Sequence, residues 1–138
     1  MSYRYLEHST DAFIEVKAKN LEEAFSVAGK SVVETIIDLE NIQEIEEKSV
    51  KVKGRNLLNL LYNWLEEIVT ITITDGFAIK KFSVNIKKNT EYEIVSKVSG
   101  EKLDLKKHNF KIEIKSPTFH LMEIKENDEI TMQYLLDL

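Results

Sequence analysis

The sequence predicts a single α+β domain, an archetype in which two helices pack on largely antiparallel β-sheet layers. Apolar residues recur with a helical period in two stretches, about 21–37 and 56–71. From residue 77 onward the pattern changes to short runs of alternating apolar and polar residues divided by turn signals. The 138 residues contain no linker, repeat or low-complexity tract, so the span 1–138 reads as one domain with one core.

The elements follow in order. Residues 3–7 make a short strand and FIEVKAK at 13–19 a second, with Ile14, Val16 and Ala18 on one face. Asn20 suits a helix cap, with Glu23 reaching back to the cap amide. Leu21, Ala24, Phe25, Ala28, Val32 and Ile36 then form one apolar stripe. Gly29 interrupts it at a cost of roughly 1 kcal/mol relative to Ala, which a close helix-on-sheet contact explains. The charged segment 42–53 reads as one irregular strand or two short ones, closed by Gly54. In the second helix Leu57, Leu58, Leu61, Trp64, Leu65 and Ile68 make a broad apolar face. Its end is ambiguous, because the β-branched IVTITIT suits a strand while the helical face continues into it. Asp75-Gly76 turns the chain.

In the second half Phe82, Val84 and Ile86 alternate with Ser83, Asn85 and Lys87, as in a strand with one face in water. YEIVSKVSGE is its antiparallel neighbour. FKIEIKS (110–116), FHLMEIK (119–125) and EITMQYLLDL (129–138) read as further strands, with Asn127-Asp128 as a hairpin turn. Pro117, lacking an amide donor, marks an edge, a bulge or a bend between two strands.

Composition narrows the function. With 43% hydrophobic and 31% charged residues the chain is an ordered globular protein. No signal-peptide pattern opens it and no apolar run approaches a membrane span, so a cytoplasmic protein with no membrane partner is expected. The absence of cysteine excludes disulfides, thiolate zinc sites and thiol nucleophiles. A net charge of −5 and only two arginines, Arg4 and Arg55, argue against direct nucleic-acid binding. No glycine-rich phosphate loop, nucleophile elbow, HExxH or EF-hand spacing is present, which leaves an autonomous nucleotide-using enzyme without machinery.

The chemically interesting residues gather at the two ends. Asp11 closes the polar stretch of YRYLEHSTDA and serves either the turn amides or, as a carboxylate, a metal or a partner. His8 is its neighbour in sequence. At the other end, a strand ordered to its last residue places the Leu138 carboxylate beside the Asp137 side chain. Adjacent carboxylates repel unless a cation or a shared proton offsets them, and a hard divalent cation suits an oxygen-only cluster. The spacing alone does not show the ends meeting. Lys115, Ser116 and Thr118 around Pro117 form a polar break that either positions a loop or is a plain bulge. Glu66 and Glu67 read as solvent-facing, and His108 and His120 have no zinc spacing.

Taken together, YRYLEHSTDA, LEEAFSVAG, LLYNWLEE, GEKLDLKKH, IEIKSPTFHLMEI and the closing LLDL form an ordered pattern that resembles the archease family over nearly the whole length. The chain departs from the family at Arg55, at Glu66-Glu67 and at Ser116-Pro117-Thr118. The resemblance implies an accessory protein and not an enzyme. Such a protein activates the tRNA-splicing RNA ligase by promoting guanylylation of the ligase's active-site histidine and its multiple turnover. It also implies a divalent metal ion, calcium by preference, held by Asp11, Asp137 and the terminal carboxylate of Leu138. His8, Lys115 and His120 match family positions around that site. The family fold resembles a redox-regulated heat-shock chaperone domain, so the alternative is a general chaperone or protein-binding module. Without cysteine, this chain has no thiol switch.

Overall fold

In a computed structural model of the chain, the described residues are 2–6 and 11–138. They form β1 (Ser2–Leu6), β2 (Asp11–Ala18), α1 (Leu21–Ile36), β3 (Glu46–Gly54), α2 (Leu57–Val69), β4 (Phe77–Lys88), β5 (Tyr92–Lys102), β6 (Ser116–Glu126) and β7 (Ile130–Asp137). Two sheets result, in strand orders β1-β2-β7-β6 and β3-β5-β4, with every pairing antiparallel. The helices lie between them. α1 packs on β2 of the first sheet and β4 of the second, and α2 on β6 and β3. The domain is therefore three layers, sheet on helices on sheet, and its core sits on both sides of the helical layer.

Period-two alternation fills that core. Ile14 and Val16 from β2, Met132, Tyr134 and Leu136 from β7, and Val50, Ile94 and Val98 from the second sheet are all buried. Two polar contacts fasten the layers. Trp64 Nε1 of α2 donates to the Phe25 carbonyl of α1 at 2.8 Å, and the Ser31 and Tyr134 hydroxyls bond α1 to β7 at 2.6 Å. Burial of the Tyr134 phenol pushes its pKa up, so it stays protonated in the physiological range.

Several elements form as their residues dictate. Asn20 Oδ1 accepts from the Glu23 amide at 2.9 Å, although Glu23 reaches the Lys19 amide (3.1 Å) and not that of Asn20. A Cβ on Gly29 would lie 2.7 Å from the Phe82 ring, which is the close helix-on-sheet contact its presence implied. The ambiguous IVTITIT resolves as helix: α2 runs on into a π-helical turn, Thr70–Thr74, and Thr72 Oγ1 bonds the Ile68 carbonyl at 2.8 Å. Ile68, Val69 and Ile71 are all buried, so a single apolar face continues and overrides β-propensity. The charged segment before Gly54 becomes one strand, β3.

The structure corrects one strand. FKIEIKS contributes only Ser116 to a ladder, and residues 111–115 lie outside any strand. Its alternation is hollow: Ile114 is buried, but Phe110 and Ile112 are exposed at 39% and 41%. The segment is instead pinned at two points, the Lys111 amide on the Ile36 carbonyl and the Lys115 amide on that of Asp137, each at 2.8 Å. Pro117 falls inside β6, an edge strand, where its missing donor costs nothing.

Candidate functional site

The ladder between β2 and β7 brings the two ends of the chain together. Its register pairs Ala12 with Leu136, Ile14 with Tyr134 and Val16 with Met132, all facing the core. A slip by one residue would expose this entire set, so burial fixes the register. The same register places Asp11 opposite Asp137 on the outer face, as the last row of the ladder. Directly opposite side chains in such a pair stand about 5 Å apart at Cβ. Asp11 is half-buried and Asp137 exposed.

Neighbouring elements complete this end. β6 adds Ser116 to the row, in register with Asp137. Leu138, which follows Asp137, is partly buried against the core. Lys115 joins through its backbone, and its side chain is exposed. It also lines a groove of about 280 Å³ with Glu66, Thr70, Glu113 and Ser116, between the end of α2 and the start of β6. Glu66 is exposed, as expected, but it borders this groove instead of open solvent alone. His120 is placed differently. It is exposed in a segment where the β6–β7 register breaks between Thr118 and Glu123, so no residue of β7 pairs with it. Leu121 beside it has φ +60°, a conformation that costs a branched residue about 1 kcal/mol or more. His8 lies outside the described residues.

Among the described residues, no group of three or more His, Cys, Asp or Glu side chains gathers into a metal cage. The last row of the β2–β7 ladder offers two aspartate carboxylates. This donor set is all oxygen and anionic, which fits a hard divalent cation and not a soft metal. A cation shared between the aspartates would offset the repulsion of like charges set directly across a ladder.

A second polar cluster was not legible in the sequence. Buried Glu101 accepts from Lys107 Nζ (2.9 Å), His108 Nε2 (2.9 Å) and the Gln43 amide (2.8 Å). His108, fully buried, accepts the Asp104 amide at Nδ1 (3.0 Å), which puts its ring proton on Nε2, facing Glu101. Asp104 in turn caps the amides of Lys106 and Lys107, and the His108 carbonyl receives the Asp38 amide. Every polar atom of the imidazole is engaged within the fold, so the cluster fastens the loop after β5 to the end of α1. The available signal was GEKLDLKKH, where an aspartate precedes amides that it can cap.

The Lys107 ammonium, helped by His108 and the Gln43 amide, holds the Glu101 carboxyl at about 2, below its usual 4.5. A depressed pKa means stability that is fully present above about 4.5 and lost as pH falls toward about 2. Thermal melts between those limits should show a steeper acid loss for the parent chain than for Glu101→Gln, which has no proton to take up there. Parallel slopes would contradict this role.

These features define a class: a small three-layer domain whose chain ends close on one carboxylate row. The model of the Archease protein family (MTH1598/TM1083) matches residues 3–138. The chain belongs to the archease family. It is 35% identical over 125 residues to the protein archease of Pyrococcus abyssi, covering 90% of this chain and 88% of that one. Against the protein archease of Pyrobaculum islandicum the identity is 34%, with 100% and 96% covered. The solution structure of Methanobacterium thermoautotrophicum protein 1598 superposes with a TM-score of 0.84 at 30% identity, covering 99% of each chain. A crystal structure from Thermotoga maritima, described as an archease and possible chaperone, shares the fold at a TM-score of 0.63 and 20% identity over 98% and 96% of the chains. No helix of the described residues is long and apolar enough to cross a membrane.

Proposed function

We propose that this protein is a metal-binding accessory factor that activates the tRNA-splicing RNA ligase, promoting guanylylation of the ligase's active-site histidine and its repeated turnover. The observation that carries the reading is the Asp11–Asp137 row with Leu138 beside it. Asp11, Asp137 and the Leu138 carboxylate are the ligands, with calcium or a similar hard cation as the ion. When bound, that ion supplies positive charge for phosphate and carboxylate oxygens at the contact with the ligase. The chain's own part is positional. β2 and β7 fix the two aspartates relative to each other, and the Lys115 amide holds the last strand's end in place. The nucleotide chemistry belongs to the partner enzyme, whose histidine is the nucleophile.

The test is ligase guanylylation from GTP, followed with and without this protein in a divalent-cation buffer. Stimulation that disappears on chelation and returns with calcium supports the reading; equal guanylylation with and without the protein refutes it. A general chaperone is the second reading, favoured by the exposed Phe119, stacked on Tyr62 at 4.4 Å, and by the exposed Leu121 two residues on. That reading requires suppression of aggregation of unrelated proteins with no need for a divalent ion.

A further inference from the structure

β6 forms one edge of the first sheet, with β7 as its neighbour on one side only. Its last stretch, 123–126, is regular, bounded by the register break before Glu123 and by the turn after Glu126. The Asn127 amide donates to the Glu129 carbonyl at 3.1 Å, so the pairs that exchange hydrogen bonds with β7 are Lys125–Thr131 and Glu123–Gln133. Ile124 and Glu126 therefore turn their amides and carbonyls outward, away from β7. Among the described residues, no bond reaches those outward groups. Under this edge runs a groove of about 360 Å³, walled by Leu57 and Leu58 of α2 and by Met122 and Ile124 of β6. Leu58 is 39% exposed there.

We infer that β6 pairs antiparallel with β6 of a second copy of this chain, about a two-fold axis at Ile124, so that two first sheets become one. The charges select both the occupant and the register. Glu123 and Lys125 are exposed on the outer face of the sheet, and neither has an ion pair among the described residues. With the axis at Ile124, Glu123 of each copy stands opposite Lys125 of the other. These are the pairs without mutual hydrogen bonds, where side chains come closest. An axis at Glu123 or at Lys125 would instead set like charges face to face. Charges on an edge strand usually deter pairing of any kind. Here their alternating signs deter the neighbouring two-fold registers and favour this one. On the helix side Ile124 meets Ile124 and the two grooves adjoin, which gives the exposed Leu58 apolar cover. A two-fold contact uses the same patch on both copies, so it closes at two. Ser116, in the carboxylate row, lies eight residues back along β6, roughly 27 Å in an extended strand, so each copy keeps its row open.

The experiment is sedimentation velocity of the protein from about 1 μM to about 1 mM, in chelator so that the carboxylate row plays no part. The parent should pass from one copy to two as its concentration rises. E123K and K125E each place like charges across the axis and should weaken dimerisation at least about tenfold. Both positions are exposed, so these variants keep the fold. The swapped chain E123K/K125E restores opposite charges and should dimerise like the parent. An equimolar mixture of E123K and K125E should form a one-to-one dimer, because every facing pair is then Glu against Lys. A parent that stays single at every concentration would leave the edge to solvent or to a foreign strand, and would overturn the inference. A dimer that survives both single variants, or one that the swap or the mixture fails to restore, would overturn it equally.

Discussion

Gly100→Ala is expected to leave the chain unable to hold its fold. Gly100 sits in β5 opposite Ile79, where the β4–β5 register shifts. A Cβ built there would lie 1.8 Å from the Ala78 carbonyl oxygen and 3.1 Å from Ile79 Cα. Both obstacles are backbone, and Ala78 and Ile79 are fully buried, so neither strand has room to retreat. The Gly100 carbonyl also receives the Ile45 amide at 2.9 Å, tying the connection before β3 to this point. Overpacking of this kind at main-chain atoms should cost more than about 4 kcal/mol, against a total stability of about 5–15 kcal/mol for a domain. Urea unfolding of the purified variant, or its failure to remain soluble, measures this. A midpoint close to that of the parent would show that the two strands separate more easily than their burial implies.

The second large effect concerns activity with the fold intact. Asp11→Asn combined with Asp137→Asn removes two of the three anionic ligands while keeping size and hydrogen-bonding capacity. Stability should change by less than about 1 kcal/mol, because exposed or half-buried positions at a ladder end carry little packing. Divalent-cation affinity should fall more than about 100-fold, since the affinity of oxygen sites follows the number of ligand charges. Stimulation of ligase guanylylation should fall with it. Two glycines appended after Leu138 convert its carboxylate to an amide and should act in the same direction without touching either aspartate. A double variant that melts like the parent and still stimulates the ligase fully would remove the carboxylate row from the mechanism.

The helices and most strands were legible because burial and local pattern agree in them. Asn20 caps α1, Gly29 meets Phe82, and the alternation of EITMQYLLDL matches its buried face. Where they disagree, the sequence misleads: FKIEIKS has a strand's spacing, yet Phe110 and Ile112 are left in solvent. Asp11 and Asp137 were readable as candidates from their types and positions. Their meeting was not, because strand order is a long-range property, and β2 and β7, neighbours in the sheet, come from opposite ends of the sequence. The Glu101–His108 cluster was hidden for a related reason. Its acceptor lies at the end of β5, its donors are two side chains on a loop and the Gln43 main-chain amide, and nothing in their spacing announces burial.

Calorimetric titration of the metal-free protein with calcium tests the central claim most directly. The account requires one saturable ion per chain in the parent, and heats reduced to dilution level for the Asp11→Asn, Asp137→Asn double variant. No saturable binding by the parent, or an unchanged isotherm for the variant, would contradict it.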